Sequence, residues 1–123
     1  MTQANFTTSQ AAETPAVDLA HLHRYTLGNA DLDKEVLELF RQTSPGYLAS
    51  LRNASDRKAW VEAAHAIKGS ARAIGAWKVG LIAERLEKLP NAPGAAEGAT
   101  LIEELATALE SVYRFILGLP ARG

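Results

Sequence analysis

The sequence predicts an all-α protein, and two observations carry that prediction. Alanine, leucine and glutamate are abundant whereas β-branched residues are few, a composition that favours helices over strands. Apolar residues recur at spacings of three and four in four long stretches, which is the period of an amphipathic helix. Short loops join these stretches, so consecutive helices should be antiparallel neighbours. We therefore predict an up-down-up-down antiparallel four-helix bundle, preceded by a short extra N-terminal helix.

Residues 1–15 are small and polar, and they offer little that a core could bury. We expect this segment to be disordered and a single domain to follow it over residues 16–120. Since the chain begins with Met and ends in a short tail, we also expect a free-standing protein. The helices are expected over residues 17–27, 31–53, from 55 or 56 to about 75, 76–89 and 96–117.

Capping and breaking residues support these helix ends. Asn29 or Asp31 can cap the first long helix, and Asp56 or the serine before it can cap the second. Gly75 stands where a C-terminal cap is wanted. Pro45 lies inside the first long helix and removes one of its backbone hydrogen bonds, so we expect a kink just before it.

Composition excludes several classes of function. The net charge is −1, so overall charge indicates neither a nucleic-acid partner nor an acidic interaction tail. The chain has no cysteine, which rules out disulfides, thiolate catalysis and cysteine metal sites. No apolar run is long enough for a transmembrane helix, and the N-terminus has no secretory-signal pattern. We expect a cytoplasmic protein with no membrane or nucleic-acid partner.

The helix that contains residues 61–76 carries the candidate site. At about 100° per residue, its core line is formed by five residues, and His65 points about 140° away from that line, onto the outer surface. Lys68 and Gly69 follow His65 at three and four positions, so they flank the imidazole directly. The five core residues are Trp60, Ala64, Ile67, Ala71 and Ile74.

Gly69 needs an explanation, because a glycine inside an exposed helix costs about 1 kcal/mol relative to alanine. We expect a Cβ at this position to crowd the outer nitrogen of His65, so that glycine leaves room for a bulky group or a partner. Lys68 adds a positive charge at the same place. An accessible, largely neutral imidazole beside a cation favours phosphorylation, which adds up to two negative charges.

At these residues the sequence resembles the histidine-containing phosphotransfer (HPt) domain of two-component phosphorelays. The resemblance covers residues 17–117, and its departures from the family pattern, Val79 and Ala83, do not touch the site. The matching positions, in chain order, are His65, Lys68-Gly69, Gly75-Ala76, Val79, Ala83 and Leu86-Glu87.

The resemblance implies a role for each residue of the site. His65 would accept a phosphoryl group on its outer ring nitrogen from an aspartyl phosphate of a receiver domain and pass it to another receiver. Lys68 would stabilise the phosphorylated form, Gly69 would keep the approach open, and Ser70 would orient the local helix. We expect the Ser70 hydroxyl to bond back to its own helix rather than to phosphate.

The resemblance also bounds cofactors and partners. It implies response-regulator receiver domains as partners, with a hybrid histidine kinase as a further candidate, and a monomeric protein. No ATP-binding region is present, and the magnesium needed for transfer would belong to the receiver. We expect no metal site here: His21 and His23 are two apart on a helix, and no acidic or cysteine residue has ligand spacing with them.

Several interpretations remain open from the sequence. Lys58 and Arg72 share the outer sector of His65, where they are either solvated charges or phosphate-steering groups. Leu32 and Leu39 either form a docking patch or belong to the core.

The alternative functions are a helical adaptor without chemistry and the phosphoacceptor and dimerisation domain of a sensor kinase. The second places an acidic residue after the histidine, where this chain has Ala66. A hydrolase is disfavoured because no carboxylate or second histidine is spaced to activate water beside His65.

Overall fold

A computed structural model describes residues 15–119, and every regular element in that range is a helix. The all-α prediction is therefore confirmed. The predicted disordered segment 1–15 lies, except for Pro15, outside the described residues, as does Pro120. The helices are α1 Leu19–Tyr25, α2 Ala30–Arg52, α3 Arg57–Ile74, α4 Trp77–Lys88 and α5 Glu97–Leu117.

Side-chain caps fix the starts of the first three helices. Asp18 accepts a hydrogen bond from the backbone N–H of the third residue beyond it, at 3.1 Å. Asn29 and Asp56 do the same for α2 and α3, at 3.0 and 2.8 Å. Of the two residues expected to cap α2, Asn29 is thus the one used. α2 runs on through Pro45 without interruption, and the kink expected just before it stays a prediction.

The four long helices form a ring around a shared core. α2 packs on α3, α3 on α4, α4 on α5, and α5 returns to α2, while the short α1 lies against α2 and α3. This order of neighbours agrees with an up-down-up-down bundle, a topology that stays a prediction. Fully buried side chains from every helix fill the centre, the largest being Leu22, Leu37, Leu51, Ile67, Ile74, Leu86, Leu105 and Leu109. Burial of each such side chain contributes about 1.5–3 kcal/mol.

The register between α3 and α4 is set at both ends of the pair. At one end, Gly75 adopts a left-handed conformation with φ +77° and ends α3, and α4 begins two residues later. At the other end, the indole Nε1–H of buried Trp60 donates to the backbone oxygen of Leu86 at 2.6 Å. Arg57 donates to the backbone oxygen of Leu89 at 2.6 Å. These bonds place the residue after Leu86 opposite the outer face of α3.

The short α1 is tied to the bundle at both of its ends. The Asp18 N–H donates to the backbone oxygen of Gly75 at 2.9 Å, and the Asp18 carboxylate accepts from Nε1 of Trp77 at 3.1 Å. At the other end, buried Asp33 of α2 accepts from the Thr26 hydroxyl at 2.5 Å and pairs with Nδ1 of His23 at 2.5 Å. Within residues 15–119, no helix has both the length and the apolar character that a membrane span requires.

Candidate functional site

His65 lies on the outer face of α3, as its position in the helical period predicted. Its side chain is 66% exposed. The preceding residue, Ala64, is fully buried, and so is Ile67 two residues later. The alternation shows that the helix points its apolar stripe into the bundle and leaves the imidazole facing solvent.

A carboxylate that the sequence analysis did not place at the site bridges His65 and Lys68. Oε2 of Glu87, on α4, lies 3.0 Å from Nδ1 of His65. Oε1 of the same side chain lies 2.5 Å from Nζ of Lys68. The spacing of residues along the sequence showed no carboxylate beside His65, but the register of α3 against α4 brings Glu87 there. We call His65, Lys68 and Glu87 the His65 cluster.

The Glu87 carboxylate is held in its charged form. Its contact with the Lys68 ammonium, more than its hydrogen bond to His65, lowers the pKa of Glu87 below the ordinary value of 4.5 and outweighs the opposing effect of burial. An ionised carboxylate only accepts hydrogen bonds, so Nδ1 of His65 must carry the proton. The neutral imidazole then presents its lone pair on Nε2, the nitrogen that faces away from Glu87.

Lys68 is less free than its position on the outer sector suggested. Its side chain is only 15% exposed, and its ammonium contacts the buried Oε1 of Glu87. The contact is an ion pair, and its geometry lies outside that of a well-directed hydrogen bond. Lys68 thus supplies a cation within the His65 cluster, but that cation is paired at rest.

Gly69 is exposed, and a Cβ built on it would meet nothing within 4 Å. The expectation that a Cβ would crowd the imidazole of His65 is therefore wrong for the unbound protein. No described residue fills the space over Gly69. The missing side chain therefore makes room for a group that arrives from outside.

The other two candidate cations are also paired with carboxylates. Lys58 contacts Glu62 of its own helix at 2.6 Å, and its side chain is 83% exposed. Arg72 contacts Glu84 of α4 at 2.6 Å, and Glu84 also binds Lys88 at 2.8 Å. Among the described residues, neither Lys58 nor Arg72 forms a hydrogen bond or ion pair with the His65 cluster.

Ser70 and the two candidate docking leucines lie outside the His65 cluster. Ser70 is half-buried, and it is absent from the hydroxyls that bond back to a preceding carbonyl within the described residues. The predicted helix bond of Ser70 is thus not observed. Leu32 and Leu39 of α2 are 40% and 59% exposed, so neither belongs to the core.

The described residues contain no group of three or more His, Asp or Glu side chains arranged to hold a metal ion. His21 packs edge-on against the ring of Trp77, with centroids 4.7 Å apart. His23, however, does have an acidic partner, Asp33, which the sequence analysis did not anticipate because the two lie on different helices.

Glu87 and Glu84 are the residues that sequence reasoning missed. A signal for Glu87 was present, since the resemblance included the pair Leu86-Glu87. The family pattern shows that a glutamate is expected at position 87, but it does not show what the glutamate contacts. The contact of Glu87 with α3 depends on the packing of two helices, which the period of one helix does not reveal.

A family model described as Hpt domain matches residues 35–114 of the chain. The match spans more than half of the 123 residues and contains the whole His65 cluster, whereas α1 lies outside it. No curated protein and no solved structure gives a significant match to the chain.

Proposed function

The chain belongs to the Hpt domain family, and from that premise we propose that His65 relays a phosphoryl group between the aspartates of receiver domains. Hpt domains take part in histidine phosphotransfer within two-component phosphorelays and work with receiver domains. The finer assignment names the acceptor residue, the atom that reacts and the roles of its neighbours.

The observation that carries the proposal is the pairing of an exposed imidazole with a shielded carboxylate. His65 is 66% exposed, while Glu87 is only 17% exposed and engages Nδ1 at 3.0 Å. This leaves Nε2 as the basic nitrogen on the accessible side of the ring. A nucleophile whose tautomer is fixed by a neighbouring group needs no rearrangement before it reacts.

The transfer step balances with the groups at hand. The lone pair on Nε2 of His65 attacks the phosphorus of the receiver's aspartyl phosphate, an N–P bond forms, and the P–O bond to the aspartate breaks. The aspartate leaves as a carboxylate. The ring becomes a phosphoimidazolium that keeps its proton on Nδ1, where the Glu87 carboxylate accepts the hydrogen bond. The reverse step discharges the group onto a second receiver.

Access and docking support the same role. The open space over Gly69 admits the edge of a partner without a clash from the unbound chain. Leu32 and Leu39 expose apolar surface on α2, the helix beside α3, and we assign them to the receiver-docking patch. Lys58 and Arg72, which are paired with Glu62 and Glu84, then act as solvent-facing charges rather than as phosphate ligands. Magnesium belongs to the receiver's acidic pocket.

The experiment is a phosphotransfer profile. Receiver domains from the source organism are labelled on their aspartates with radioactive acetyl phosphate, mixed with this protein, and resolved by electrophoresis. We expect rapid label transfer from at least one receiver to the wild-type chain and none to His65→Gln.

His23→Gln is the matched control, because His23 also pairs Nδ1 with a carboxylate and is 50% exposed. It should retain full transfer. Absence of transfer from every receiver would leave the helical adaptor as the better account. Transfer that survives in His65→Gln but is lost in His23→Gln would contradict the proposal, because the acceptor would then be His23 on α1.

A further inference from the structure

We propose that Glu87 competes with the phosphoryl group for the Lys68 ammonium and thereby shortens the lifetime of phosphorylated His65. The inference rests on the proposed function, since it concerns the phosphorylated form of that histidine. It predicts how long the phosphoryl group remains on His65, which the identity of the acceptor residue does not determine.

The competition follows from the placement of one cation between two anions. Lys68 is three residues after His65 on the same helical face, so its ammonium can approach a group on Nε2. At rest that ammonium lies 2.5 Å from Oε1 of Glu87, an oxygen with almost no solvent exposure and no hydrogen-bond partner within residues 15–119. While Lys68 is in place this oxygen is shielded from water, so release of the ammonium costs Glu87 its ion pair.

The neighbouring cations cannot take over the role of Lys68. Arg72 is held by Glu84 at 2.6 Å, and Lys58 by Glu62 at 2.6 Å. Glu62 lies three residues before His65 on the same helix, and Glu87 of α4 contacts the imidazole. The ring therefore has carboxylates near it on both helices. A phosphoryl dianion on Nε2 therefore arrives in surroundings whose positive charge is already paired.

The lifetime depends on this pairing through the charge that the group loses as it leaves. In hydrolysis a water oxygen forms a bond to phosphorus, the N–P bond breaks, its electron pair returns to Nε2, and inorganic phosphate departs. The transition state is loose, with metaphosphate character and less charge on the group than in the bound dianion. A free Lys68 ammonium would stabilise the bound dianion more than the transition state and would therefore slow hydrolysis. An ammonium held by Glu87 stabilises the dianion less, so hydrolysis is faster.

The test is a double-mutant cycle on chemically phosphorylated protein. Potassium phosphoramidate transfers its phosphoryl group to His65, an N–P bond forms as another breaks, and ammonia leaves, so no receiver is needed. After removal of the reagent, loss of phosphohistidine is followed by ³¹P NMR in the wild type, E87Q, K68M and the double variant. We expect E87Q to lengthen the half-life about threefold or more, and K68M to remove most of that gain.

Equal effects of E87Q in the presence and absence of K68M would overturn the proposal, because the carboxylate would then act without the lysine. An unchanged half-life in E87Q would overturn it as well. K68R keeps a cation at the position, so the gain from E87Q should survive in that background. Circular dichroism checks that each variant is folded.

Glu103→Gln is the matched control, since it removes a carboxylate of α5 that pairs with Arg52 of α2 and therefore frees none of Lys58, Lys68 and Arg72 on α3. It should leave the half-life unchanged. If phosphoramidate labels the wild type at residues other than His65 only, the proposed function is contradicted. If it labels His65 but the double-mutant cycle shows no coupling between Glu87 and Lys68, the proposed function stands and only the competition for Lys68 is contradicted.

Discussion

At the scale of single residues, two histidines of this chain each pair with a carboxylate, but their surroundings differ. His23 pairs with Asp33 where α1 meets α2, and that pair helps to fasten α1. His65 pairs with Glu87 on an open face, beside a lysine and a bare stretch of backbone at Gly69. Only the second environment offers a fixed tautomer, a nearby cation and an unobstructed approach together, so we assign the chemistry to His65.

Gly69→Ala should stabilise the protein while it impairs transfer. A Cβ at this position meets nothing within 4 Å, so the substitution should raise the free energy of unfolding by about 0.5–1 kcal/mol. The added methyl group stands where the receiver must approach, and we expect transfer from a phosphorylated receiver to slow about fivefold or more. Urea unfolding and initial transfer rates measure the two effects.

Gly46→Ala provides the reference for stability, because Gly46 is likewise exposed in a helix with open space around it. Labelling by phosphoramidate should be the same in Gly69→Ala as in the wild type, since this reagent is small. Normal receiver transfer in Gly69→Ala would mean that the glycine serves no partner.

The site could be predicted from sequence only as far as a single helix determines it. The period of α3 placed His65 outside and Ile67 inside, and the structure agrees. The contact of Glu87 with His65 depends on how α4 is set against α3, through bonds such as that from Trp60 to the backbone of Leu86. No pattern within one helix encodes that register.

At the scale of elements, the turn between α3 and α4 is the part of the scaffold on which the site depends most. Gly75 has φ +77°, and a Cβ there would lie 2.8 Å from the backbone oxygen of Asp18. Gly75→Ala should lower the free energy of unfolding by about 2 kcal/mol or more, from backbone strain and from displacement of α1. Thermal or urea unfolding followed by circular dichroism measures this loss.

Gly28→Ala separates the two causes. Gly28 has the same φ of +77° but open space where its Cβ would be, so its substitution should show the backbone strain alone. If Gly75→Ala costs no more than Gly28→Ala, the contact with Asp18 contributes nothing to stability.

The exposed face of α2 is predicted to contribute to receiver binding. Leu39→Ser should weaken binding to the cognate receiver about tenfold, because it removes apolar surface from the proposed docking patch. Leu39 is already 59% exposed, so stability should change by no more than about 0.5 kcal/mol. Isothermal titration calorimetry gives the affinity. Leu81→Ser is the control, since Leu81 is 56% exposed on α4, and equal losses from both variants would contradict a docking patch on α2.

At the scale of the whole molecule, the ring of four long helices followed from periodicity and loop length, but the place of α1 did not. The sequence predicted a short helix over residues 17–27, and the structure forms it over Leu19–Tyr25. Its attachment through Asp18 to Gly75 and Trp77 joins residues far apart in the chain. Such contacts depend on the finished bundle, and composition carries no sign of them.

Acid should destabilise the protein through carboxylates that bridge helices. The Lys68 ammonium lowers the pKa of Glu87, and Arg52 lowers that of Glu103, below the ordinary value of 4.5. Because these groups bind protons less readily in the folded chain, their contribution is present above pH 4.5 and is lost as the pH falls through the lowered values. We expect the free energy of unfolding to decrease steadily below pH 4.5.

The double variant Glu87→Gln with Lys68→Met tests this assignment, because it removes both charges of one bridge. Its stability should depend less steeply on pH below 4.5 than that of the wild type, as measured by urea unfolding at a series of pH values. An identical slope would show that the Glu87–Lys68 pair plays no part in acid unfolding.

The most direct test of the account is the identity of the atom that carries the phosphoryl group. Protein labelled with ¹⁵N in its histidines is phosphorylated by a cognate receiver and examined by long-range ¹H–¹⁵N correlation and ³¹P coupling. We predict ³¹P coupling to Nε2 of His65, with a proton on Nδ1. Phosphorus on Nδ1, or on any other residue, would contradict the account.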